Sequence, residues 1–263
     1  KNSLVCVGID PEVAKIPAHL HDEEEPYLAF GTGIVDATAP YVCAFKPQAA
    51  HFAAVGAEDQ LAKLIAYIQR NYPEIPVILD AKRGDVGSTA ALYAKEVFER
   101  YGADAVTVNP YLGYESISPY LDYTDRGVIV LCRTSNPSSD WIQAVPLNNE
   151  PLYLSVARKV REWDKNKQCM LVTGATLPEE LGGVRRAIGD LPLLVPGVGA
   201  QGGDVESVLK MGLDADGYGL CISSSRSIIY AGNGSDFAAQ AALAAKNLRD
   251  QINEARRPSC VTR

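Results

Sequence analysis

The sequence predicts an α/β chain closed into a single (β/α)8 TIM barrel spanning residues 1–263, and three observations carry that prediction. Eight short apolar, β-branched runs recur along the chain, each followed by a longer stretch of helical pattern. Strands alternating with helices imply right-handed βαβ crossovers and a parallel sheet. The runs are apolar almost without interruption, as strands covered on both faces are. Eight such units in 263 residues suit a closed barrel, while periodicity alone leaves an open doubly wound sheet as the alternative.

The expected strands are Leu4–Ile9, Cys43–Phe45, Val77–Leu79, Ala105–Val108, Val128–Cys132, Met170–Val172, Leu193–Val195 and Gly219–Ile222. Between the second and third, Ala57–Asn71 has helical amphipathicity. After the third, Thr89–Tyr101 sets Leu92, Val97 and Tyr101 on an apolar stripe, with Lys95, Glu96, Glu99 and Arg100 polar. The Pro/Ser/Asn-rich segment Ser135–Pro151 reads as a βα-loop insertion, too short to divide domains. The Ala-rich stretch Phe237–Arg256 makes a closing helix.

Composition excludes several classes. With 47% hydrophobic, 22% charged and 8% aromatic residues, the chain is neither disordered nor collagen-like. A formal charge of −7 argues against nucleic acid or an anionic membrane as partner. No apolar run approaches the ~20 residues that span a bilayer, and the first residues lack a signal peptide's features. The six cysteines are scattered, with no CxxC pair, and five lie in apolar runs, so reduced thiols in a cytoplasmic protein are expected. Lys1 looks like an interior start, so a short preceding segment is expected.

Barrels of this kind place their chemistry at the C-terminal ends of the strands. There the sequence sets Asp10; Lys46-Pro47-Gln48; Asp80-Ala81-Lys82-Arg83-Gly84-Asp85; Asn109; and Arg133-Thr134-Ser135-Asn136. The last two strands end in Pro196–Gly203 and in Ser223-Ser224-Ser225-Arg226. Asp80 and Lys82 stand two apart, on one face of a strand. Asp10, Lys46, Asp80 and Lys82 would therefore converge on one mouth, an array that holds Asp80 ionised beside a protonated Lys82. A single such charge would read as a solvated loop residue or an ion-pair member; four at the ends of three strands point to a site. Glycine-exposed N–H groups around Gly202 and Gly203, with Arg226, suit a phosphate.

Other polar residues read as structural. His19, His21 and His51 lack metal-ligand spacing, so no metal is expected. No histidine is placed to activate the serines at 223–225. The acidic run Asp22–Glu25 is a solvated face, and Tyr111 and Tyr114 read as packing residues.

The run Asp80-Ala81-Lys82-Arg83-Gly84-Asp85-Val86 resembles the DxKxxD(I/V) motif of the orotidine 5′-monophosphate decarboxylase family. The resemblance continues through Val7–Asp10, Phe45–Gln48, Val195–Asp204 and Ser225–Ile228 in family order, and Arg133–Pro137 resembles the longer bacterial and protozoan-type branch. It implies a cofactor-independent lyase that decarboxylates orotidine 5′-monophosphate to uridine 5′-monophosphate in de novo pyrimidine biosynthesis. It also implies a homodimer. Lys46, Asp80, Lys82 and Asp85 would form the charged network, with Asp85 crossing the dimer interface. Lys82 would protonate the carbanion. Asp10 and Lys46 would hold the ribose, assisted by Thr89 of the partner subunit. Ser135 would bond the pyrimidine; Gln201, Gly202, Gly203 and Arg226 would hold the phosphate. Val86 stands where many members carry isoleucine, a loss of one methylene. The nearest rivals are metal-dependent relatives similar to 3-keto-L-gulonate 6-phosphate decarboxylase or hexulose-phosphate synthase, which need a carboxylate at the place of Lys46. A non-catalytic phosphate-ligand sensor is the alternative from another class.

Overall fold

The computed structural model describes residues 2–198 and 204–256. Its eight-stranded sheet comprises β1 (Val5–Ile9), β2 (Ala44–Pro47), β3 (Ile78–Arg83), β4 (Ala105–Val108), β5 (Gly127–Arg133), β6 (Cys169–Thr173), β7 (Leu193–Pro196) and β8 (Leu220–Ser224). Parallel ladders join them in the order β2-β1-β8-β7-β6-β5-β4-β3. The two ends of that row meet through bridges from Phe45 to Val77 and from Gln48 to Asp80. Those bridges close the cylinder, so the expected (β/α)8 barrel is the observed fold.

The barrel floor takes one buried residue from every strand: Cys6, Ala44, Ile78, Ala105, Ile129, Val172, Leu194 and Cys221. Four of these side chains are small (Cys6, Ala44, Ala105 and Cys221) and four are branched, and the mixture lets the strands share one packed interior. The outward-facing residues of the same strands join the helices in a second, larger core that includes Val7, Phe45, Leu79, Val106, Val128, Leu171, Val195 and Ile222. Period-two alternation divides each strand between these two cores, and both faces are apolar.

The helix expected at Ala57–Asn71 runs Glu58–Asn71 and buries Leu61, Leu64, Ile65 and Ile68. The stretch expected as one helix over Thr89–Tyr101 behaves differently. An α-helix covers Gly87–Lys95 and gives way to a π-turn at Glu96–Arg100. Leu92 precedes that turn and stands five residues before Val97, well off the face of Val97 at any α-helical spacing. Val97 and Tyr101 are buried as expected, joined by Ala90, Ala94 and Phe98, whereas Leu92, expected on the same stripe, is 66% exposed. The segment after β5 is structured: a short helix at Asp140–Gln143 and an antiparallel pair, Pro146–Leu147 with Glu150–Pro151. The closing helix spans Phe237–Ala255. No described helix is long and apolar enough to cross a membrane.

At the end of the barrel opposite the strand C-termini, buried Arg185 ties the chain together through backbone carbonyls. It donates to Gly212 at 2.7 Å, to Gly189 at 2.7 Å, to Leu191 at 2.8 Å and to Gly219 at 2.8 Å. The guanidinium fork thus gathers the turns around β7 and β8. Replacing Arg185 with Met would take this donor from the carbonyls of Gly189, Leu191 and Gly212 in a buried site, while that of Gly219 keeps the Leu193 N–H. Urea denaturation of Arg185→Met should show stability lowered by about 3 kcal/mol. An unchanged midpoint would contradict the assigned role.

Candidate active site

The apolar floor fixes what lies above it. Two residues further along each strand, the same alternation points inward again: Gly8, Lys46, Asp80, Thr107, Leu131 and Ser223 on β1, β2, β3, β4, β5 and β8. Four of these six are polar, and Lys46, Asp80, Thr107 and Ser223 are all buried. The charged layer is therefore the next step of the pleat above a hydrocarbon floor, at the C-terminal mouth of the barrel.

Asp80 is its centre. Lys46 Nζ donates to Asp80 Oδ2 at 2.8 Å, and Lys82 Nζ donates to Oδ1 at 2.7 Å. Thr107 Oγ1 donates to Oδ1 at 2.8 Å. Burial alone would raise the Asp80 pKa, but the ammonium groups of Lys46 and Lys82 outweigh it and hold the carboxyl well below the usual carboxylate range. Burial likewise works against the Lys46 charge, yet the carboxylates of Asp80 and Asp10 prevail and raise it above the ordinary lysine value. Both groups keep their charge across the neutral range. Lys82 differs in exposure: its side chain is 48% accessible while that of Asp80 is 9% accessible. One lysine is built into the wall, and the other reaches the open mouth with its ammonium still on Asp80.

Asp80 and Lys82 do meet as their spacing suggests, but not through a regular strand. The β3–β4 register shifts between Leu79 and Arg83, and Lys82 adopts φ +46°. A left-handed backbone costs a non-glycine residue about 1 kcal/mol or more. Thr107 supports that conformation: its Oγ1 accepts the N–H of Ala81 and of Lys82, each at 3.0 Å, while donating to Asp80. Sequence reasoning passed over Thr107. Its only signal is a lone hydroxyl in the apolar run Ala105–Val108, two residues beyond a floor position.

A cavity of about 130 Å³ adjoins this cluster, lined by Asp10, Lys46, Pro196, Gly197, Val198, Ser224 and Arg226 among others. Asp10 Oδ1 is buried there without a hydrogen-bond partner among the described residues, an acceptor suited to a ligand. Ser225 Oγ is also buried and unpaired. A Cβ on Gly8 would stand 2.8 Å from Ser225 Cβ, so only glycine lets β1 and the turn after β8 approach this closely. Arg226 is exposed at the rim. The array offers a cation for a dianion, a buried carboxylate for hydroxyls, and an ammonium beside a fixed negative charge.

Three other expected site residues stand outside the Asp80 cluster. Ser135 sits against Gly174, where an added Cβ would lie 2.8 Å from that of Ser135. Asp85 accepts the N–H of Val86 at 2.8 Å and joins no ion pair among the described residues. Thr89 is exposed. Gln201, Gly202 and Gly203 lie outside the described residues. Arg133 is buried at the end of β5 and serves as an anchor for the following segment. Its guanidinium bonds Glu180, Asp140 and Ser139, while Gln143 accepts the N–H of Thr134 at 2.8 Å. Tyr111, expected to pack, is 76% exposed, and Tyr114 is exposed at its edge with its ring 5.3 Å from that of Trp163. Among the described residues no three His, Cys, Asp or Glu side chains are grouped to hold a metal.

The model of the orotidine 5′-phosphate decarboxylase / HUMPS family matches residues 3–241. The chain is 56% identical over 258 residues to the orotidine 5′-phosphate decarboxylase of Aromatoleum aromaticum, covering 97% of this chain and 95% of that protein. It is 57% identical over 253 residues to that of Dechloromonas aromatica, covering 96% and 94%. Among solved structures, the Leishmania donovani OMP decarboxylase superposes with a TM-score of 0.85 at 36% identity, covering 97% of this chain and 94% of that one. The Methanocaldococcus jannaschii orotidine 5′-monophosphate decarboxylase, 21% identical with a TM-score of 0.70 over 95% and 98% of the chains, shares the fold.

The Asp80 environment fixes the sign of a pH effect. A carboxyl whose folded pKa is depressed contributes stability above its unfolded pKa, and loses it as pH falls through the folded value. The stability difference between the native chain and Asp80→Asn should therefore stay flat from neutral pH down to the ordinary aspartate value of 3.8, and narrow only below it. Calorimetric melting across that range checks this; a gap that closes above pH 5 would contradict the depressed pKa.

Proposed function

Because this chain belongs to the orotidine 5′-phosphate decarboxylase / HUMPS family, we propose that it decarboxylates orotidine 5′-monophosphate to uridine 5′-monophosphate in pyrimidine biosynthesis, without metal or cofactor. The observation that carries this reading is the ionised Asp80 bonded between Lys46 and Lys82. The metal-dependent reading would require a carboxylate in place of Lys46. The ammonium already occupies Asp80 Oδ2 at 2.8 Å, where it repels a divalent cation.

The reaction leaves an electron pair on carbon six of the pyrimidine once its bond to the carboxylate breaks, and the chain must neutralise that charge. Lys82 is the group suited to do so. Its ammonium reaches the mouth, and its proton passes to carbon six as the carbanion is quenched. The neutral amine then regains a proton from solvent. Asp80 holds Lys82 in place and keeps it charged. It also sets negative charge where the substrate carboxylate must sit, which favours the carboxylate's departure as neutral carbon dioxide. Asp10, with its unpaired buried oxygen, and Lys46 hold the ribose hydroxyls. Ser135 bonds the pyrimidine. Arg226, with Gln201, Gly202 and Gly203, takes the phosphate, whose binding energy is realised at a distance from the reacting carbon.

The active form is a homodimer in the cytoplasm, with Asp85 and Thr89 reaching the partner's site. Two features support the dimer. Asp85 and Thr89 lie outside the Asp80 cluster of their own chain, and exposed Val86, Leu92, Tyr111 and Leu112 form apolar surface around the same mouth-side segments. No nucleic acid or membrane is required as partner.

Two measurements test these points. Orotidine 5′-monophosphate should lose its ultraviolet absorbance when mixed with the purified chain, at a rate unchanged by excess chelator. No decay, with sugar-phosphate turnover that chelator stops, would move the protein to the metal-dependent branch. Mixing and reassociating inactive Lys82→Ala and Asp85→Ala chains should restore about a quarter of native activity, since half the dimers are mixed and one site in each is intact. If Asp85 served its own chain, no activity would return.

A further inference from the structure

Among the described residues a buried oxygen of the Asp10 carboxylate has no hydrogen-bond partner, and no described side chain bonds the carboxylate to hold it in place. Its position is set by the backbone that carries it, and that backbone is gripped from two sides. The Tyr230 hydroxyl donates to the Asp10 carbonyl at 2.8 Å and accepts the Glu12 N–H at 2.8 Å. Between them, His51 Nδ1–H donates to the Pro11 carbonyl at 3.0 Å. Three consecutive residues are thus pinned by two side chains that lie 220 and 40 residues away in sequence.

Each pin is rooted in another part of the site. Tyr230 ends the single helical turn that Arg226 begins, and its N–H bonds the Arg226 carbonyl at 3.2 Å. Its ring stacks on Phe30 at 6.0 Å, with Lys15 Nζ 5.4 Å from the ring centroid. Burial pushes the phenol up to about 12, so the hydroxyl keeps the proton it donates. His51 belongs to the short helix Ala49–Ala53, which follows directly on the strand bearing Lys46. The Asp10 turn is therefore tied to the Arg226 turn through one residue and to the Lys46 strand through the other.

We propose that Tyr230 and His51 are positioning residues that fix Asp10 against Lys46 and set its separation from Arg226. This rests on the reading that Asp10 holds the ribose. The span between the sugar-holding and phosphate-holding ends is then held before substrate arrives. A nucleotide that finds both ends in register loses little energy in arranging them. Neither residue touches the reacting atoms, so their effect falls on substrate capture.

Steady-state kinetics of Tyr230→Phe, Asp10→Ala and the double variant test this. Phenylalanine keeps the ring on Phe30 and removes one oxygen. Tyr230→Phe should raise KM about 10-fold with kcat within about 3-fold of native. In the Asp10→Ala background the same change should raise KM less than about 2-fold, because a residue that acts through Asp10 has nothing left to position. His51→Ala, run through the same cycle, should shift KM in the same direction by a smaller factor, and serves alone if Tyr230→Phe does not fold. Unchanged KM in both single variants, or effects that multiply fully with Asp10→Ala, would overturn the proposal. An Asp10→Ala chain with native KM would instead overturn the ribose reading beneath it.

Discussion

The buried carboxylate of Asp80 is the constraint on which the rest of the mouth depends. A charge in that position is costly unless every lone pair is answered, and removing one partner of such a pair costs about 3–5 kcal/mol. Here Lys46, Lys82 and Thr107 answer it together. The demand propagates outward: Lys46 must come from β2, Thr107 from β4, and Lys82 must turn back on itself at φ +46°. The bridge from Gln48 to Asp80 closes the barrel at the same level. Closure of the cylinder and the charged layer thus share one level of the barrel.

The division of labour between the two lysines follows from burial. Lys46 is enclosed, and its charge is held by Asp80 and Asp10, so it serves as a fixed electrostatic element. Lys82 shares the same carboxylate yet faces the opening, where a reacting atom could reach its proton. Asp80 therefore orients a donor without quenching it. Around this centre the chain uses backbone anchors: Thr107 for the Lys82 turn, Tyr230 and His51 for the Asp10 turn, and Arg133 for the segment beyond Ser135.

The fold and the central charges were legible in the sequence because both depend on period-two alternation and on apolar runs. Reading two residues past each floor position finds Lys46 and Asp80 directly, and Asp10 lies at the next step of its strand. The anchors were not legible. Tyr230 and His51 act on backbone atoms of a turn far away in sequence, a relation without periodicity. Thr107 differs from a core threonine only in what lies beside it on the neighbouring strand. The π-turn at Glu96–Arg100 was hidden because its composition is that of an ordinary helix, and Leu92, five residues before Val97, lies off the buried face at any α-helical spacing. Arg133 is a polar strand end like the expected site residues, yet the register shift between Leu131 and Arg133 accompanies its docking on Glu180 and Asp140.

The role of Lys82 as proton donor is tested most directly by the single-turnover rate of Lys82→Ala, with orotidine 5′-monophosphate held well below the enzyme concentration and the nucleotide shown to be bound. The account predicts decarboxylation slowed by a factor of about 10⁴ or more, beyond the usual range for general acid–base catalysis alone because Lys82 also stabilises the developing charge. A bound nucleotide that still decarboxylates within about 10-fold of the native rate would contradict it, and the proton would have to come from another group.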